Sequence, residues 1–234
     1  MILKELKKLD DLQNKAVMGV DETGVGDFFG PLVSCAAVVY PNQIKSLIAL
    51  GVQDSKKYSD KQISQIAKKI KDLVYYQIYH LTPKGYNSLK NGKNQYNANE
   101  LKFFSHAQAI ALLNRKLNEN YDLIFIDQYS TFNSINKYYN KILVNNNWAQ
   151  IDDVNKIAFF ATKAESKHVA VACASIFARD YFIHARSEMV KKYNFDFPLG
   201  ASIETQKKVI EFEETYGTEM LNEVCKTSFK ITKL

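Results

Sequence analysis

Val17-Met18-Gly19-Val20-Asp21-Glu22-Thr23-Gly24-Val25-Gly26-Asp27-Phe28-Phe29-Gly30-Pro31 decides how the rest of this sequence is read. A short apolar run stops at two adjacent carboxylates, a Gly-x-Gly turn follows, and a second apolar run covers residues 32–40. The pattern predicts a strand, an acidic edge, a tight turn and a returning strand. Neighbouring side chains on a strand point to opposite faces, so Asp21 and Glu22 can share a site only near the strand end. Gly24 and Gly26 lack a Cβ and let the backbone come close to a ligand. The alternative is an ordinary hairpin with a solvated acidic turn, and only the rest of the chain separates the two.

Outward from this stretch, apolar runs predict further strands over 74–81, 121–127 and 157–161, beside those over 16–21 and 32–41. Helical spacing predicts helices over 43–50, from Ser59 onward, and over 99–117, 133–144, 168–190, 203–215 and 220–224. Residues 82–96, with Pro83, Gly85 and Gly92, read as a loop or a broken short helix. Residues 1–15 read as a short amphipathic lead-in, and 16–234 as one domain. Strands alternating with helices after an initial hairpin predict an α/β fold with a mixed central sheet flanked by helices and a helical C-terminal part.

The composition sets wide bounds. A chain of 234 residues, 46% hydrophobic, buries a full core. The net charge of +6 fits a polyanionic partner, but lysines and asparagines are spread throughout. Cys35, Cys173 and Cys225 are odd in number and far apart, which points to buried thiols in a reducing compartment. The N-terminus lacks the apolar segment of a signal peptide, and no run approaches the roughly 20 apolar residues of a membrane span. A cytoplasmic protein is expected, with no obligate protein partner indicated.

Three of the predicted strand ends or strand–helix junctions carry an acid: Asp21 and Glu22, Asp127, and Glu165. Strand ends are where α/β folds keep their sites. Four acids together repel one another unless cations neutralise them, and an all-oxygen set suits Mg²⁺ or Mn²⁺. Each acid also has a plainer use, since Asp127 and Glu165 could cap helices. His106 and His168 lie in or beside apolar helices, where packing or capping is the expected role. Among the aromatics, Tyr75, Tyr76, Tyr79, Phe103, Phe104, Phe159 and Phe160 read as core.

The segment from Asp21 to Pro31 resembles the signature of type 2 ribonucleases H, and its Asp-Phe-Phe-Gly-Pro tail resembles ribonuclease HIII. Asp54-Ser55-Lys56-Lys57 resembles that family's Asp-Ser-Lys motif. Ile126-Asp127-Gln128, Lys163-Ala164-Glu165-Ser166 and the run Val171 to Arg179 resemble the segments with its remaining acids. Glu165, where ribonuclease HII has Asp, again favours HIII. The resemblance implies a ribonuclease H-like fold that cleaves the RNA strand of RNA–DNA hybrids, leaving a 3′-hydroxyl and a 5′-phosphate. It implies that Asp21, Glu22, Asp127 and Glu165 hold two Mg²⁺ or Mn²⁺ ions. It also implies substrate contacts from Gly24, Val25 and Gly26 to the 2′-hydroxyl and from Ser55 and Lys56 to phosphates. Lys57, Lys163 and Ser166 are further substrate-binding candidates.

Val25 stands where ribonuclease HII has Arg between the glycines, which implies a preference for continuous RNA over a single embedded ribonucleotide. The rivals are HII-type cleavage at single ribonucleotides, a DNA-cutting nuclease or integrase of the same fold, and a catalytically silent hybrid-binding protein. Ribonuclease HIII proteins usually carry an extra N-terminal hybrid-gripping domain, which the fifteen residues before the first predicted strand do not supply. Fewer phosphate contacts give a shallower dependence of hybrid affinity on salt. A titration of hybrid binding against salt, run beside a two-domain relative, checks this; equal slopes would contradict it.

Overall fold

In a computed structural model that describes residues 1–228, the two apolar runs around the Gly-x-Gly turn pair antiparallel, from Val17 opposite Val39 to Thr23 opposite Val33. They belong to a six-stranded sheet of β1 (Ile2–Glu5), β2 (Val17–Thr23), β3 (Leu32–Val39), β4 (Tyr75–Leu81), β5 (Leu123–Asp127) and β6 (Ile157–Ala161), in the order β1-β6-β5-β2-β3-β4. The β1, β6, β5 and β2 strands run parallel, and β3 and β4 complete the sheet antiparallel. The expected mixed sheet is thus present. The helices are α1 (Ile44–Ala49), α2 (Asp60–Ile70), α3 (Pro83–Asn91), α4 (Ala98–Leu117), α5 (Phe132–Tyr139), α6 (Ala164–Lys167), α7 (Val169–Tyr193) and α8 (Ile203–Val224). No described helix is long and apolar enough to cross a membrane.

Strand alternation divides the core between two helices. Met18, Val20, Ile124 and Ile126 face α4 and its Leu101, Phe104 and Ile110. Val17, Cys35, Leu123 and Phe125 face α7 and its Ala170, Cys173 and Ala174. Gly19 lets α7 lie directly on the sheet: a Cβ there would stand 2.1 Å from the Ala170 carbonyl carbon. All three cysteines are buried and free, as expected.

Three differences from the sequence expectations have local causes. Residues 2–5 of the lead-in form an edge strand along β6, with Ile2 opposite Ile157; four residues hold too little alternation to show it. Residues 83–91 form a regular helix, because Thr82 accepts from the Gly85 N–H and Pro83 sits in the first turn. The helix expected over 133–144 is α-helical to Tyr139 and continues as a π-helical turn, Asn140–Asn145. The two expected C-terminal helices are present within α8, separated at Gly217, where the backbone leaves helical geometry at φ 81°. Residues 229–234 of the expected domain lie outside the described residues.

The C-terminal part builds a separate aromatic core from Phe28, Phe29, Phe195, Phe197 and Phe212, and it clamps the limb that returns from the Gly-x-Gly turn. Gly30 N–H donates to the Val224 carbonyl at 2.9 Å, and Lys226 N–H to the Phe28 carbonyl at 2.8 Å. Gly200 N–H donates to Asp27 Oδ1 at 2.6 Å. Lys226 itself is fully buried, its Nζ 2.6 Å from the Gly30 carbonyl oxygen.

Burial lowers the Lys226 pKa from 10.5 to about 8, with Asp27 opposing the shift. The unfolded chain therefore binds this proton more tightly. The ammonium costs stability below pH 8, and the cost fades as pH rises from about 8 toward 10.5. Urea unfolding of the native chain and Lys226→Met should show the difference moving in the native chain's favour by about 2 kcal/mol between pH 7 and pH 10. Movement the other way would refute the assignment. Gly19→Ala should cost about 3 kcal/mol or more in the same assay, since backbone rather than a movable side chain blocks the new methyl.

Candidate active site

The alternation of β2 sends its two acids to different helices. Asp21 turns toward α7, where it accepts a hydrogen bond from the Ser175 hydroxyl. Glu22 turns toward α4: its Oε2 lies 2.7 Å from His106 Nε2 and its Oε1 3.1 Å from Lys102 Nζ. Asp127, the last residue of β5, accepts the Ala164 N–H at 2.9 Å. That bond fixes the start of α6, which carries Glu165. The turn into α6 is sharp, and Lys163 makes it in the left-handed region at φ 55°, a strained conformation for a residue with a side chain. Lys56 Nζ lies 3.3 Å from Glu165 Oε1.

Crowding and burial set the charge states. Burial raises the Asp21 pKa well above the usual carboxylate range, and neighbouring Glu22 adds to the rise. Asp127 is also raised by burial, with the Ala164 N–H opposing and Glu165 adding. Burial pushes Glu22 upward as well, but His106 and Lys102 outweigh it and bring Glu22 down to about 2. One of two adjacent acids is thus held firmly ionised while the other resists ionisation. Among the described residues no three such groups are gathered closely enough to clasp one ion. The donor set is nonetheless all oxygen, and its mutual repulsion is what a hard divalent cation relieves.

The four acids line one cleft of about 390 Å³ together with Gly24, Val25, Gly26, Ser55 and Lys56. Gly24 has φ 82°, and a Cβ there would meet the Pro31 carbonyl oxygen at 2.2 Å. At Gly26 a Cβ would touch nothing within 4 Å, so its bare backbone faces open space beside the acids. Lys57, Lys163 and Ser166 do not line this cleft. They border an adjoining groove that shares Glu165 with it, and Ser166 Oγ closes the turn by donating to the Lys163 carbonyl at 2.8 Å.

Several residues that hold the cleft together escape the sequence reading. His106 does pack in the core, but its bond to Glu22 corrects the expectation that packing is its whole role. His168 caps α7 as expected, accepting the Ala170 N–H. Ser175 Oγ lies 2.8 Å from Ser55 Oγ. Arg179 Nη1 donates to the Ser55 carbonyl at 2.6 Å, and its Nη2 to Asp60 Oδ1 at 2.8 Å. One signal could have exposed them: Lys102 with His106 and Ser175 with Arg179 are each four apart, so each pair shares one helix face.

Known proteins match nearly the whole of this chain. The family model described as Ribonuclease HII matches residues 18–232. A ribonuclease HIII of Enterococcus faecalis is 36% identical over 224 residues, 95% of this chain and 70% of the relative. A ribonuclease HIII of Listeria monocytogenes is 36% identical over 222 residues, 94% and 68% of the two chains. A crystal structure of Bst-RNase HIII in complex with Mn²⁺ superposes with a TM-score of 0.86 at 28% identity, covering 96% of this chain and 70% of that one.

Proposed function

The chain belongs to the ribonuclease HII family, and from that membership we propose that it is a ribonuclease HIII-like endonuclease that hydrolyses the RNA strand of RNA–DNA hybrids. The observation that carries this reading is the single cleft shared by Asp21, Glu22, Asp127 and Glu165, the bare-backbone turn at Gly24–Gly26, and the Ser55–Lys56 loop. Residues 16–234 act as one catalytic domain, with β1 added along its edge.

In this mechanism Asp21, Glu22, Asp127 and Glu165 would hold two Mg²⁺ or Mn²⁺ ions. Such ions, when bound, supply activation of a water for in-line attack and neutralise charge on the leaving O3′, so that the products are a 3′-hydroxyl and a 5′-phosphate. Asp21 and Glu22 enter from opposite faces of β2, and Asp127 ties the Glu165 turn to the end of β5 through the Ala164 N–H. The Gly24–Gly26 backbone lies open to a sugar edge, and the 2′-hydroxyl is what distinguishes RNA there. Lys56, 80% exposed at its side chain, is free to leave Glu165 for a backbone phosphate. Ser55 is fixed beside it by Ser175 and Arg179. Lys57, Lys163 and Ser166 add contacts to the strand in the adjoining groove. Val25 offers no charge for gripping an isolated ribonucleotide, which favours continuous RNA.

The test uses purified protein with Mg²⁺ or Mn²⁺ and two labelled duplexes, one with a continuous RNA strand and one with a single embedded ribonucleotide. Cutting of the first alone is expected, with Asp21→Asn lowering the rate by roughly a hundredfold or more. Cutting of both would make HII-type activity the better description. Metal-dependent cutting of neither would leave a hybrid-binding protein.

A further inference from the structure

The acids of the cleft are neutralised unequally by the chain's own cations. Glu165 is met by an exposed lysine, Lys56, which can move into solvent. Glu22 is met by a largely enclosed one. The Lys102 side chain is 15% exposed and 3.1 Å from Glu22 Oε1, and its Nζ sits 4.9 Å from the centre of the Tyr129 ring. His106, 3% exposed at its side chain, takes the other carboxylate oxygen and packs edge-on against the same ring. Both oxygens of Glu22 thus have fixed partners on the α4 side. An ammonium so enclosed is far less free to withdraw to water than that of Lys56. A cation approaching Glu22 meets a resident positive charge, whereas one approaching Asp21 meets the Ser175 hydroxyl.

We propose that Lys102 is the resident counter-cation of the acidic cluster, a positioning residue that holds Glu22 in place and weakens divalent-ion binding on its side of the cleft. The proposal rests on the reading of Glu22 as a metal-holding residue. Without an ion Lys102 offsets the repulsion among the acids, and with one it makes the Glu22 side the weaker half of the site.

Direct binding of Mn²⁺ to the full chain without nucleic acid, followed by electron paramagnetic resonance of the free ion, tests this. Lys102→Met keeps the aliphatic length and removes the charge; its weaker Mn²⁺ dissociation constant should fall about tenfold. Lys102→Gln should follow it, so one poorly folding variant does not decide the matter, and Lys102→Arg should stay near the native value. In hybrid cleavage at saturating Mn²⁺, Lys102→Met should lower kcat and leave KM unchanged, because Glu22 is then held at only one oxygen, by His106. Unchanged or weaker Mn²⁺ binding in both neutral variants overturns the proposal while leaving the ribonuclease reading intact. A native chain that binds no Mn²⁺ overturns the proposal, and one that also fails to cut the hybrid with Mg²⁺ or Mn²⁺ removes the ribonuclease reading with it.

Discussion

Two neighbours on a strand cannot face the same way, and the acidic end of β2 is organised around that constraint. Asp21 belongs to the side of the sheet that α7 covers, and Glu22 to the side that α4 covers. Neither helix alone could hold both. The cleft therefore lies at the strand's end, where the two faces meet, and each covering helix supplies two polar residues four positions apart. On α4 these are Lys102 and His106; on α7 they are Ser175 and Arg179. The rest of the core keeps these helices in register, and Gly19 sets how closely one of them approaches.

The same division explains the charge pattern. A buried acid whose partners are a hydroxyl and a backbone N–H resists ionisation, and one bracketed by an ammonium and an imidazole does not. Two adjacent residues of nearly equal intrinsic acidity are driven apart by partners that the fold places on opposite sides of one sheet.

Much of this was legible because the informative residues are local. Asp21 and Asp127 each end a short apolar run and Glu165 follows one within a few residues, so the acids stand out. Their convergence depends on the parallel pairing of β2, β5 and β6, which no single run reveals. His106 looked like a packed side chain because it is one; only the tertiary structure shows that its ring also reaches Glu22. Pro83 and Gly85 looked like breakers, yet Thr82 turns Pro83 into a helix start. β1 was hidden because its four residues gain their order from β6 rather than from their own pattern.

The clamp between Lys226 and Gly30 joins positions 196 residues apart, and that distance has a meaning in time as well as in space. Synthesis proceeds from the N-terminus, so a growing chain that has emerged only through α7 already carries all four acids. It still lacks the segment around Val224 and Lys226 that pins the limb behind the Gly24–Gly26 turn. The acids are made early and the turn beside them is secured late. A half-made molecule thus holds the charged residues of the cleft without its finished wall, and completion of the wall waits on one of the last segments of the described chain to be made.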